Sequence, residues 1–187
     1  MIKFLYSENS KIKLFQVSNN NSDIDVSKYA KENNLNILRI GFEQVRKNSF
    51  NTWFYQQLNY PYQYSFDYFQ MPDLQSKGEE LEEHLCKYYS ANKDEYILVH
   101  NQSHEDTYEL KNISNKDIIY ISKNSDLFNN MFYYKTLIVN AKEIHCINSS
   151  FLHLVERVKT HSKLYYHDVR NSNFELSEKW NVINYDN

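Results

Sequence analysis

The chain has 187 residues, of which 41% are hydrophobic and 24% charged, and its net charge is −3. Those values suit one globular domain or two small lobes and exclude a disordered tail. No Lys/Arg block marks a nucleic-acid-binding patch, and no apolar run reaches the length of a membrane span.

Tyr (17) and Phe (11) are abundant beside only 2 Gly. We read this as a compositional bias of the gene and not as base-stacking platforms. Cys86 and Cys146 are the only cysteines, too few for a zinc knuckle or a disulfide framework. Cys146 lies in an apolar run and reads as a small core residue. The opening Met1-Ile2-Lys3-Phe4-Leu5-Tyr6 turns polar at once, unlike a signal peptide, so a cytoplasmic protein is expected.

Residues 1–72 read as a reduced N-terminal αβ lobe with an aromatic linker. Alternation over 11–17 predicts a strand, and Asp25 is expected to cap a short helix running to Asn33. Residues 36–42 (Asn-Ile-Leu-Arg-Ile-Gly-Phe) predict a second strand. Gly41 stands alone and forms no phosphate-binding glycine loop. Residues 53–72 hold Trp53, Phe54, Tyr55, Tyr60, Tyr62, Tyr64, Phe66, Tyr68 and Phe69, punctuated by Pro61 and Pro72. They are expected to pack between two halves. The alternatives are ligand stacking or a surface for a protein partner, and a homodimer is compatible with that surface.

Residues 73–187 read as a Rossmann-like domain. A helix is predicted from Asp73, with Leu74, Leu81, Leu85 and Tyr88 on one face and Glu79, Glu80, Glu82 and Glu83 mostly outside. Apolar runs at 96–99, 118–121, 144–147 and 164–167 predict four strands. Helices are expected over 127–141 and from Ser150 onward. Continuous apolar strands separated by helices predict an α/β fold with a parallel sheet covered by helices on both faces.

In such sheets ligands bind beyond the carboxyl ends of the strands. Three strand ends are polar: His100-Asn101-Gln102-Ser103, Asn148-Ser149-Ser150 and His167-Asp168-Val169-Arg170. Parallel strands would bring all three to one rim. A strand turning straight into a helix N-terminus at Ser149 and Ser150 can hold a phosphate on unpaired N–H groups, or the serines can simply cap the helix. Arg170 can clamp a diphosphate bidentately, or pair with Asp168 or Glu175. His100 and His167 are the catalytic candidates, each with a purely structural alternative. His145 reads as a hydrogen-bonded structural histidine, and His153 and His161 as helix-surface residues. No HExxH, P-loop, GxSxG or CxxC motif is present. The histidines lack metal-ligand spacing, and no Asp-x-Asp pair is of the sort that holds a divalent ion against a nucleotide diphosphate.

Residues 143–158 (Glu-Ile-His-Cys-Ile-Asn-Ser-Ser-Phe-Leu-His-Leu-Val-Glu-Arg-Val), the strand at 96–100 and the segment Phe54-Tyr55-Gln56-Gln57-Leu58 together resemble a family of glycosyltransferase-like proteins of bacteria, phages and large DNA viruses. The Ser-Ser-Phe corner is also similar to that of GT-B fucosyltransferase-like enzymes. The resemblance spans roughly residues 50–170. It implies the C-terminal half of a GT-B fold and a nucleotide-diphosphate sugar as donor, with no metal and no further cofactor. By it, Ser149 and Ser150 would hold the donor's diphosphate, and His100, Asn101 and Ser103 would line its pocket. The acceptor is unspecified. Family members carry a longer, glycine-rich N-terminal part, and an Arg shortly after the "FY-x-Q-L" segment, where this chain reads Gln63-Tyr64-Ser65. A non-catalytic nucleotide- or sugar-binding module is therefore the alternative to a transferase.

Overall fold

The computed structural model describes residues 6, 9–18, 20–41, 50–104, 106–171 and 176–185. It divides into two compact units, Met1–Tyr62 and Gln63–Asn187, so the break falls ten residues before the expected boundary at 72/73.

The first unit holds helices α1 (Ser22–Glu32) and α2 (Phe50–Gln56). Its two expected strands run without regular ladder pairing among the described residues, and Phe42 lies outside them. Alternation over a few residues fixes which way side chains point. A strand also needs a partner at long range, and among the described residues these two segments have none. At one point a side chain substitutes for it. Gln57 Oε1 accepts the Gly41 N–H and Gln57 Nε2 donates to the Gly41 carbonyl, both at 3.0 Å. The sequence does contain one Asp-x-Asp, Asp23-Ile24-Asp25, and it opens α1. Asp25 accepts from the Ser18 N–H and hydroxyl, and Asp23 pairs with Arg39 at 2.7 Å. Asp25 thus serves the turn before the helix and is not its N-cap.

The second unit is an α/β fold of the Rossmann-like kind. Its helices are α3 (Tyr64–Asp67), α4 (Gln75–Tyr89), α5 (Lys135–Asn140, preceded by a 3-10 turn over Met131–Tyr134) and α6 (Ser150–Arg157). The strands are β1 (Ile97–His100), β2 (Ile118–Tyr120), β3 (Glu143–Cys146), β4 (Lys163–Asp168) and β5 (Trp180–Asn184). All neighbours pair in parallel, in the order β2-β1-β3-β4-β5.

The four expected strands are present, and β5 is an addition. Its sequence, Trp-Asn-Val-Ile-Asn, alternates poorly because it is an edge strand with Val182 half exposed. The expected helix over 127–141 is two shorter pieces. Asn130 Oδ1 accepts the Phe132 N–H, which starts the 3-10 turn.

The core lies where Leu98, Ile119, Ile144, Cys146, Leu164 and Tyr166 meet Leu81, Leu85, Leu137, Ile138, Phe151 and Val155 of the helices. Gly78 allows α4 and α5 to approach closely, since a Cβ there would stand 2.1 Å from Thr136 Oγ1. Two details of α4 differ from expectation. Tyr88 is 58% exposed, and Glu82 is fully buried. Glu82 faces inward because it has partners: Oε1 accepts from the Tyr96 hydroxyl at 2.7 Å and from Asn140 Nδ2 at 2.9 Å, and Oε2 lies 3.1 Å from Lys93 Nζ. Among the aromatics of 53–69, Tyr60, Tyr64 and Tyr68 are exposed and the rest half-buried.

Candidate functional site

β2 lies on one side of β1 and β3 to β5 on the other. The chain therefore reverses its winding between β1 and β3, and the connections after these two strands part there. Open α/β sheets leave a crevice at such a point, beyond the carboxyl ends of the strands. His100 closes β1, and Asn148 and Ser149 follow β3 directly. The Ile147 N–H donates to the His100 carbonyl at 3.1 Å, so the two strand ends are held together up to the corner.

At that corner Ser149 is the N-cap of α6. Its backbone is extended, and its Oγ accepts the Leu152 N–H at 3.3 Å. The capping role is thus present, and the Ser149 hydroxyl is committed to it. The N–H groups of Ser150 and Phe151 have no acceptor among the described residues. That is normal for the first turn of a helix, where the N–H groups point out along the axis. The Ser150 side chain is exposed and that of Asn148 half-buried.

The imidazole of His100 stacks on Phe151, with ring centroids 5.5 Å apart and planes at 14°. Tyr134 meets the Phe151 ring edge-on at 5.8 Å. Two polar atoms of this column are buried without a partner among the described residues, His100 Nδ1 and the Tyr134 hydroxyl. Burial lowers the His100 pKa to about 4, so its ring is neutral at physiological pH.

Other expected site residues are engaged locally. Asn101 Nδ2 donates to the Tyr108 carbonyl at 2.8 Å, and the Tyr108 N–H returns to the Asn101 carbonyl. Gln102 bridges Thr107, and the Asp106 N–H donates to Ser103 Oγ at 2.9 Å. Asn101 and Ser103 thus fold their own loop back on itself. Arg170 Nε donates to the Tyr108 hydroxyl at 3.0 Å, with its guanidinium over that ring. Glu175, one of its expected partners, lies outside the described residues.

His167 occupies a different place. His100, Cys146 and Tyr166 are in register across β1, β3 and β4, so His167, next to Tyr166, points to the opposite face of the sheet. It is fully buried, and both of its ring nitrogens are occupied, by His145 Nδ1 at 2.9 Å and by the Tyr185 hydroxyl at 2.8 Å. The two catalytic candidates therefore do not share a site, and His167 is sealed from the crevice.

Comparison of the chain with protein-family models, with curated proteins and with solved structures gives no match. The functional reading rests on the residues themselves.

His145 is the hydrogen-bonded structural histidine expected from its mid-strand position. His153 differs from expectation: it is half-buried on α6, and burial together with the nearby Arg157 lowers its pKa. His161 is exposed, in the connection after α6. Sequence reasoning gave no weight to Tyr134 or Tyr108. The aromatic column was foreshadowed by Phe151 alone, since Tyr134 and His100 meet it only through the fold. No three or more His, Cys, Asp or Glu side chains are grouped as metal ligands among the described residues. No helix among them is long and apolar enough to cross a membrane.

Proposed function

We propose that the chain binds a nucleotide-diphosphate sugar in the crevice between the carboxyl ends of β1 and β3 and acts as a glycosyltransferase on an acceptor yet to be identified. The observation that carries this reading is the coincidence of three features at the switch point: the start of α6, the unpartnered Nδ1 of His100, and the aromatic column beneath it. The diphosphate would lie on the N–H groups of Ser150 and Phe151, where the helix dipole favours an anion. Asn148 would add a neutral contact.

In the transfer, an acceptor oxygen bonds to the sugar's anomeric carbon as the bond from that carbon to the diphosphate breaks. The acceptor's proton passes to a base, for which neutral His100 is the candidate. Positioning and stabilisation of the leaving diphosphate would supply most of the rate.

A binding module without transfer is the second reading. It is favoured by the sealing of His167 in the sheet, which leaves His100 as the sole remaining catalytic candidate. A thermal-shift screen against nucleoside diphosphates and their sugar conjugates separates the readings. A ligand at 100 times its Kd adds about 2.7 kcal/mol of stability. A selective shift that His100→Phe removes supports the site. Donor consumption then marks a transferase, and a shift without consumption marks the module. No shift from any nucleotide rejects both.

A further inference from the structure

On the sheet face opposite His100, β3 and β4 bring two imidazoles together in full burial. His145 Nδ1 and His167 Nε2 are 2.9 Å apart, and both residues have no exposed surface. His145 stacks on Tyr165, its register partner, at 4.5 Å and 12°. The chain of contacts continues at both ends. His167 Nδ1 is 2.8 Å from the Tyr185 hydroxyl, which accepts the Lys111 N–H at 2.7 Å. At the other end His145 Nε2 faces Glu143 Oε2 at 3.6 Å.

The hydrogens can be placed by elimination. A backbone N–H only donates, so the Tyr185 oxygen accepts from Lys111. His145 Nε2 makes no hydrogen bond among the described residues, but the Glu143 carboxylate 3.6 Å away favours the hydrogen on that nitrogen over a lone pair. His145 Nδ1 is then a lone pair, and it must receive the Nε2 hydrogen of His167. In that neutral ring His167 Nδ1 is a lone pair and receives the Tyr185 hydrogen.

No lone pair remains for another proton. Protonating His167 at Nδ1 would reverse the Tyr185 bond and turn the tyrosine hydrogen away from the imidazole toward solvent.

We propose that His145, His167 and Tyr185 form a proton-sensitive clasp, closed while both imidazoles are neutral. On acidification it releases Tyr185, which follows β5, from Lys111 in the connection between β1 and β2. The charged and titratable groups facing it among the described residues are Glu143, Lys163, Tyr165, Tyr185 and Lys111. Glu143 favours a charged pair, but Lys163 lies 3.6 Å from the same carboxylate. The Lys111 ammonium, 4.6 Å above the Tyr185 ring, opposes a charge on His167. Burial lowers the pKa of both histidines, and that of His167 falls to about 4, also through the neighbouring His145. The proposal is independent of any nucleotide site.

The test is NMR on the full chain between about pH 7.5 and pH 4.5, reading imidazole nitrogen shifts and amide exchange. At the upper pH both rings should be neutral with hydrogen on Nε2, and the Lys111 amide should be protected. On acidification its protection, corrected for intrinsic exchange, should fall at least ~10-fold while the Leu98 and Ile144 amides hold theirs. Tyr185→Phe should leave the Lys111 amide unprotected at every pH. A charged imidazole or an Nδ1–H tautomer on His145 at the upper pH would overturn the clasp. So would Lys111 protection that falls only together with that of the core amides. The wild-type titration decides the matter even where the variant does not fold.

Discussion

The ring of His100 lies on that of Phe151 with its Nδ1 buried and unpartnered. A strand end and a helix start are thus joined through an aromatic contact that carries an unmet hydrogen bond. An unsatisfied buried polar atom costs about 1–3 kcal/mol. A phenylalanine can keep the stack without that cost. His100→Phe should therefore raise the midpoint of urea unfolding while abolishing any nucleotide-induced shift. An unchanged or lowered midpoint would mean that Nδ1 is satisfied in solution.

Acid sensitivity follows from the same residue. An unfolded imidazole titrates near 6.5, and His100 in the fold near 4. Between these values the unfolded chain holds a proton that the folded chain refuses. Stability is complete above the unfolded value, falls as pH drops through it, and levels off below about 4. The difference corresponds to roughly 3 kcal/mol for His100, and His167 acts in the same direction. Urea unfolding across this range should show the loss, and His100→Phe should reduce its size.

Ser149 and Ser150 should separate cleanly. Ser149 Oγ caps α6, so Ser149→Ala should destabilise by about 1 kcal/mol. Ser150 is exposed at the first helical position, and Ser150→Ala should stay within roughly 0.5 kcal/mol. Thermal unfolding of the two single variants checks the order.

Gly78 is required by contact and not by backbone conformation. A Cβ there meets Thr136 Oγ1 at 2.1 Å and the Tyr133 carbonyl at 3.2 Å. Gly78→Ala should destabilise by about 1–3 kcal/mol despite the better helix propensity of alanine. Adding Thr136→Ala removes the nearest atom and should restore part of the loss. A purely additive double variant would show that the clash is relieved elsewhere.

Glu82 joins α4, α5 and the residue that leads into β1. Glu82→Leu removes the carboxylate that Tyr96 and Asn140 share. The Tyr96 hydroxyl keeps the Leu137 carbonyl at 3.0 Å and Asn140 is exposed to water, so the loss should be about 1 kcal/mol. Adding Tyr96→Phe to Glu82→Leu should cost less than the sum of the two single changes. Full additivity in the thermal unfolding of that cycle would show that the two groups do not depend on each other.

The strands legible in the sequence were those with apolar residues at consecutive positions. Residues 96–99, 144–147 and 164–167 fall on β1, β3 and β4, inside the sheet, and 118–121 on the edge strand β2, where Ile119 is buried and Tyr120 is exposed. β5 escaped notice because its exposed positions are polar or isolated, as edge strands are. The segments 11–17 and 36–42 carry a strand's alternation, yet pairing depends on a partner that local pattern does not encode. The crevice was legible only as a set of polar strand ends. Its membership was not, because the side of the sheet each residue takes follows from register. His100 and His167 both end apolar runs, yet a difference of one position in the ladder puts them on opposite faces. His145 and His167 stand 22 residues apart in the chain, and no spacing rule would have joined them.

The connection from β1 to β2, residues 101–117, contains no helix among its described residues. It is fastened by side chains: Asn101 and Ser103 at its start, Tyr108 to Arg170, Lys111 to Tyr185. Lengthening such a segment adds only slowly to the entropy of closing it, about 0.6 kcal/mol per doubling, and leaves the ladder untouched. Over evolutionary time this stretch can be recut while the sheet that supports it stays as it is.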